Sequence, residues 1–290
     1  MRLFTLLSLC FGLAVGAATA EPSQWSRAWP DTDFSRTAVA DWFEIMSGGP
    51  GKDGIPAIDT PTFISVSDET RLSPREAVLS VTIGNTSRAY PIRYLMWHEI
   101  VNDTIEGQPV AVTFCPLCNS AMVFDRRVDG DVLSFGVSGL LRHSDMVMYG
   151  RETESWWQQA IGEGIVGHHT GTELTPLVGL MQGWDQFKAE YPNGEVMDEP
   201  NLPRRYGQNP YVNYDSSRRP FLFNGEMPPH NVPPLLRVVR VGDRAWPMDR
   251  LAKLGAVTEA GVTITWAKGQ ASALDTNSLG QGREVGSIRV

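Results

Sequence analysis

An α+β fold, mainly antiparallel β with a few short helices, is predicted from three observations. Apolar stretches of strand length recur between Thr62 and Phe124 and are separated by turn residues. Gly84-Asn85 divides two of them, Val78 to Ile83 and Ser87 to Ile92, at hairpin spacing. Helical spacing of apolar residues is confined to a few short segments.

In chain order, a short helix is expected around Ala38 to Ile45, followed by a glycine- and proline-rich loop from Gly48 to Pro56. The hairpin leads into a helix on which Ile92, Leu95, Met96 and Ile100 share a face, placing His98 and Asn102 together at i, i+4. Val110 to Phe114 reads as a strand entering the turn Cys115-Pro116-Leu117-Cys118, and Ala121 to Phe124 as a strand leaving it. Val132 to Val137 is expected to pair with that second strand across Asp129-Gly130, and Met146 to Tyr149 is a further strand. Helices are expected over Glu152 to Ala160 and over Trp184 to Tyr191, the latter ended by Pro192-Asn193-Gly194. Residues 200–234 hold eight of the twenty prolines and read as an ordered surface loop or a boundary. Strands return at Leu236 to Val241, Arg244 to Trp246 and Val262 to Trp266, and the tail after Gly269 is polar.

The first twenty residues read as an export signal. Arg2 precedes an apolar run from Leu3 to Ala17, and Ala18-Thr19-Ala20 has the small-x-small pattern of a signal-peptidase site. The expectation is cleavage after Ala20, a single globular domain over 21–290, and a periplasmic or secreted location. No later stretch approaches the roughly 20 apolar residues of a transmembrane helix, so no integral membrane segment is expected after cleavage. Arg2 is the one charged residue removed, which takes the formal charge from -8 to -9. That balance argues against nucleic acid as a partner and against adsorption to anionic lipid.

Cysteine usage narrows the chemistry. Cys10 leaves with the signal, and the mature chain keeps just Cys115 and Cys118. Two cysteines three apart form a short disulfide, hold a metal as thiolates, or cycle between dithiol and disulfide. A loop this small gains little chain-entropy stabilisation from a bridge, so a purely structural disulfide is the least economical of the three. No helical stripe follows Cys118, and strand, Cys-Pro-x-Cys, strand resembles a metal knuckle more than a thioredoxin-type turn. A knuckle is half a site. Zinc or copper needs further ligands, and His98 is the first candidate, with His143, Met146 and Met148 behind it. His98 also reads as an ordinary helix histidine, His168-His169 as surface residues, and the two methionines as one core face of a strand.

In the thiol version one cysteine attacks and the other resolves, with His98 or Arg126 favouring the thiolate. Around the turn, Asp125, Arg126, Ser138, Asp145, Arg151 and Glu154 crowd a span that otherwise reads as buried strand, and buried charges must be paired or face a cleft. They are candidates for a polar pocket, with Glu99 beside His98 and Lys52-Asp53 from the glycine loop, or else for a hydrogen-bonded scaffold. No Gly-x-Ser-x-Gly elbow and no phosphate-binding Walker loop occurs, and Asn102 stands where a zinc-protease motif opened by His98-Glu99 needs histidine.

Longer motifs resemble those of a known family. They include Lys52-Asp53-Gly54-Ile55-Pro56-Ala57, His98-Glu99-Ile100-Val101-Asn102-Asp103 and Val112-Thr113-Phe114-Cys115-Pro116-Leu117-Cys118. Phe124-Asp125-Arg126, Phe135-Gly136-Val137-Ser138-Gly139, Ser144-Asp145 and Glu154-Ser155-Trp156-Trp157-Gln158 continue the match. The chain is identified on these as a member of a family of exported bacterial and archaeal proteins catalogued as a domain of unknown function. The resemblance implies one domain and no established activity. It includes the equivalents of His98, Cys115 and Cys118, but more usually carries asparagine at His143, and it typically continues past Val290 with another apolar stretch. The expectation is therefore an envelope protein with a Cys115/Cys118 site for a soft metal or for thiol chemistry. The alternative is a non-catalytic binding or scaffold protein in which the pair is a disulfide.

Overall fold

The computed structural model describes residues 23–241 and 243–290. The expected signal segment and Cys10 lie outside the described residues. Most of the described chain is antiparallel sheet, with four short α-helices among the described residues. No helix among them is long and apolar enough to cross a membrane.

Three sheets stack into layers, and the middle one decides the arrangement. It has four strands in the order Pro176–Leu177, Ser120–Asp125, Gln108–Cys115, Ile100–Ile105. The Gln108–Cys115 strand is buried along nearly its whole length. Its alternation sorts side chains between two cores: Val110, Val112 and Phe114 enter one, Ala111 and Cys115 the other. The first core is closed by a five-stranded sheet carrying the Ala77–Ile83/Thr86–Pro91 hairpin and by the helix Ile92–His98. The second is closed by another five-stranded sheet, built on Phe135–Arg142, Asp145–Gly150 and Ser155–Gln158. Outside these layers, Trp29 and Phe34 cover one flank, and Trp184 and Phe187 of the helix Trp184–Glu190 cover the other.

The expected hairpin, the strands on both sides of the cysteine turn, and the helix at Trp184 are all present. Other expectations are corrected. Glu152 to Ala160 is not a helix, because Ser155–Gln158 is a strand. Trp156 packs among Trp25, Trp29 and Phe34, whereas Trp157 faces Phe135 and His169 on the other side. Two adjacent tryptophans can enter opposite cores only at a period of two. The helix begun at Ile92 stops at His98, since Glu99 takes φ +59 and Ile100–Ile105 runs on as a strand. Asn102 therefore shares no helix face with His98; its amide donates to Asp59 and to the Phe135 carbonyl and accepts from the Phe135 N–H.

Asp129-Gly130 does turn a hairpin, but one of only two residues per strand, Arg127–Val128 with Asp131–Val132. Phe135–Arg142 pairs with Asp145–Gly150 and Ile45–Ser47 rather than with Ser120–Asp125. Ala38 to Ile45 yields only a single 3-10 turn, Trp42–Glu44, capped by Asp41. His169 is buried against Trp157 rather than exposed. The tail after Gly269 also packs inward: Ala271, Leu274 and Leu279 are buried, and Ser287–Arg289 is a strand.

The Phe-Gly-Val-Ser-Gly stretch makes a bulge, with the register shifting between Val137 and Leu140. Ser138 Oγ donates to the Val147 carbonyl and accepts from the Leu140 N–H at 2.9 Å. Gly139 takes φ +75, and a Cβ there would lie 2.0 Å from the Pro50 carbonyl oxygen. The Gly48 to Pro56 loop docks on this bulge, with Gly48 N–H bonded to the Gly139 carbonyl and Asp53 N–H to that of Val137.

Trp156→Ala should lower the unfolding free energy by about 3–5 kcal/mol. Phe43→Ala, at a side chain 85% exposed, should stay within about 0.5 kcal/mol. Urea unfolding of both variants measures this, and equal midpoints would refute the packing assigned to Trp156.

Candidate metal centre at the cysteine turn

The site is made by two hairpin tips. Cys115 ends the first strand of its hairpin and pairs with Ser120, which begins the return strand. Between them Pro116 to Asn119 turn the chain, Asn119 at φ +50 and its N–H bonded to the Pro116 carbonyl at 3.3 Å. Asparagine tolerates the left-handed region better than most residues, which fits it to this position. The second tip is the two-residue turn His143-Ser144, with Arg142 paired to Asp145. Both turn residues have positive φ, +53 and +70, the geometry of a type I′ turn without its usual glycine. Backbone held in this way is strained and is found preferentially at functional sites.

The two tips bring three donor side chains together. One ligand atom each from Cys115, Cys118 and Asp145 lies within 4.8 Å of the others. Cys118 Sγ is 3.1 Å from Asp145 Oδ1, and Cys115 Sγ makes a weak contact with the Ser144 carbonyl at 3.9 Å. Asp145 Oδ2 accepts from the Ala160 N–H at 3.0 Å, which fixes the carboxylate plane. Both cysteines are free thiols, so the arrangement is not the bridged pair of the scaffold alternative.

The charges of this cluster oppose one another. The Cys118 thiol is pushed well above the ordinary thiol range, first by hydrogen bonding with the Cys115 side chain, then by burial and by the charges of Cys115 and Asp145. Burial likewise raises the Asp145 carboxyl, against the lowering effect of the Ala160 N–H and the Cys118 contact.

Residues 200–234, read from sequence as loop or boundary, cover the turn. The Tyr214 hydroxyl donates to the Leu117 carbonyl at 2.9 Å and accepts from the Phe221 N–H. Tyr211 lies close enough to Glu99 and Cys115 for both charges to add to burial in raising its pKa. Gln159, fully buried, donates to Thr113 Oγ1 and the Ser120 carbonyl beside the turn, while its own carbonyl oxygen has no partner. Neither tyrosine is singled out by the sequence; the aromatic residues that punctuate the proline-rich stretch are the signal that could have found them.

The other sequence candidates are placed differently. His98 is buried, with Nδ1 2.7 Å from the Pro56 carbonyl and Nε2 2.7 Å from the Tyr206 hydroxyl. A carbonyl only accepts, so Nδ1 carries the proton and Nε2 accepts from Tyr206. Burial lowers the His98 pKa, so the ring is neutral, and it does not join the sulfur cluster. Arg126 donates to the Leu133 and Asp103 carbonyls rather than to a sulfur. Lys52 pairs with Glu154 and sits over the rings of Trp29 and Tyr149 at 4.7 and 4.9 Å. The Tyr149 hydroxyl donates to Asp53, Arg151 bonds Asp59 at 2.8 Å, and Asp125 accepts from the Arg127 N–H. Of the downstream ligand candidates, His143 contacts Asn224 and Glu44 on the surface, whereas Met146 and Met148 are core.

Residues 52–290 match the family described as "Protein of unknown function (DUF3179)", and the chain belongs to that family. No curated protein and no solved structure matches it.

Glu99 is the remaining candidate beside the turn. Its carbonyl accepts from the Phe114 N–H at 2.8 Å, and burial alone lifts its carboxyl from 4.5 to about 8. The folded protein thus keeps this proton up to about pH 8, whereas the unfolded chain loses it above about 4.5. Unfolding releases a proton in that window, so this group makes stability fall as pH rises from about 4.5 to about 8 and levels off above. In metal-free protein, Glu99→Gln should match the wild type near pH 4 and exceed it at pH 8 by on the order of a few kcal/mol. Urea midpoints across pH read this directly, and parallel profiles for the two proteins would overturn the assignment.

Proposed function

We propose that this chain is an exported envelope protein that holds one divalent soft metal ion, zinc in the first instance, on Cys115, Cys118 and Asp145. The observation that carries the reading is the convergence of these three donor atoms within 4.8 Å. In a tetrahedral zinc site, thiolates bound at about 2.3 Å lie about 3.8 Å apart, so the donors need only a small contraction around an ion. Two thiolates and a carboxylate suit zinc better than copper(I), which prefers an all-sulfur set. Three protein ligands leave a fourth position for water or a bound molecule, the pattern of open zinc sites. The export reading rests on the sequence of the first twenty residues.

Thiol chemistry fits less well. A nucleophilic cysteine needs a lowered pKa, and Cys118 is held far above its ordinary value by its neighbours. A dication reverses this, because it replaces the thiol protons and turns mutual repulsion among three anionic donors into attraction. Metal uptake therefore releases protons, and affinity should rise with pH.

Elemental analysis of the mature protein should give about one zinc per chain. Cys118→Ser and Asp145→Asn should each reduce metal content at least tenfold while the far-UV circular dichroism is kept. Tyr206→Phe, which removes the His98 partner but no donor, should leave it unchanged. Protein that takes up no metal after incubation with zinc, or an Asp145→Asn variant that keeps its metal, would reject the site as drawn.

A further inference from the structure

The C-terminal part of the chain carries a small core of its own. Met248 and Leu251 of the helix Met248–Leu254 pack on Ile264 of the strand Val262–Ala267. Where this unit meets the segments around Asp215, Leu236 and Arg283 there is a cleft of about 660 Å³, within the roughly 300–1,000 Å³ of small-molecule sites. Leu235, Leu236, Met248, Ala252, Trp266 and Val285 give it an apolar wall.

The charged residues at this wall are nearly all accounted for. Asp215 is bonded by Arg283 at 2.7 Å and by the Ser272 hydroxyl, and Arg283 also pairs with Asp275. Glu284 Oε1 accepts three backbone N–H groups, from Gly269, Gln270 and Gly286, and its Oε2, which has no hydrogen bond to a described residue, faces Arg75 at 3.6 Å. Lys253 and Asp249 lie exposed on the helix surface. Arg237 is the exception. Its carbonyl accepts from the Met248 N–H, but its guanidinium makes no hydrogen bond or ion pair with any described residue. Part of its surface opens on the cleft, so the residue as a whole is half-buried. Protein atoms nonetheless crowd the charged end enough that desolvation, the largest influence on it, lowers its pKa. The opposing charges of Asp215 and Arg283 are the other influences.

A guanidinium at the wall of a cleft, with no partner among the described residues, is free to pair an anion, and its planar fork matches a carboxylate through two parallel hydrogen bonds. The surrounding wall needs an apolar one. We propose that this cleft binds an amphipathic monoanion, an acyl chain ending in a carboxylate, with Arg237 pairing the head and Leu236, Met248, Ala252, Trp266 and Val285 holding the chain. The site is independent of the cysteine turn and draws nothing from the metal reading.

Calorimetric titration of the full mature chain with sodium laurate tests this, with lauryl alcohol and lauryl phosphate as parallel probes. Saturable binding of one laurate per chain is expected, weakened at least tenfold in Arg237→Gln and in Ala252→Trp, which fills the cleft from the helix side. Lauryl alcohol should bind at least tenfold more weakly than laurate. No saturable laurate binding, equal binding of the alcohol, or a preference for lauryl phosphate with laurate silent would each overturn the proposal. Should Arg237→Gln fail to fold, as read by its thermal melt, Ala252→Trp decides, and unchanged laurate affinity in that variant overturns it.

Discussion

Two-sided burial of the Gln108–Cys115 strand is the constraint on which the rest of this structure depends. A strand with water on one face can alternate apolar and polar residues. This one cannot, and its sequence is apolar or small at nearly every position. Each face then requires a cover: the hairpin sheet with the helix Ile92–His98 on one side, the tryptophan-rich sheet on the other. The cysteine turn sits at the end of that strand, so Cys115 is positioned by a strand packed on both faces. A side chain held in this way is preorganised.

The same layering explains why charges next to the turn in sequence are not all next to it in space. Arg126, Lys52, Glu154, Asp53 and Arg151 are each spent on a carbonyl, an ion pair, a hydroxyl or an aromatic face away from the turn. Buried polar groups left unpaired are expensive, so a chain that crosses layers often needs many such clasps. The Asn102 side chain is the clearest of them, since it bonds both the N–H and the carbonyl of Phe135 and so ties the middle sheet to its neighbour.

The tips themselves are where local preference gives way. His143, Ser144 and Asn119 all hold positive φ without being glycine. Between the tips, hydrogen bonding with Cys115 and burial raise the Cys118 thiol, and burial raises the Asp145 carboxyl. A cation bound here would act on the same electrostatic arrangement that raises these two groups.

The sequence by itself determined the mainly antiparallel β character, the hairpin around Gly84-Asn85, the strand–turn–strand context of the cysteines, and the family. These rest on local chemistry: turn residues, apolar period, and motif spacing. It misread Glu152 to Ala160 because polar residues flanking two tryptophans look helical until two separate cores claim one tryptophan each. It named Asp145 among the polar neighbours but turned to His98 as the third ligand, since nearness along the chain was the available guide. In the structure the His143-Ser144 turn folds Asp145 onto Cys118, while Pro56 and Tyr206 occupy both nitrogens of His98. Which donors converge depends on how hairpins stack, and no periodicity within one segment encodes that.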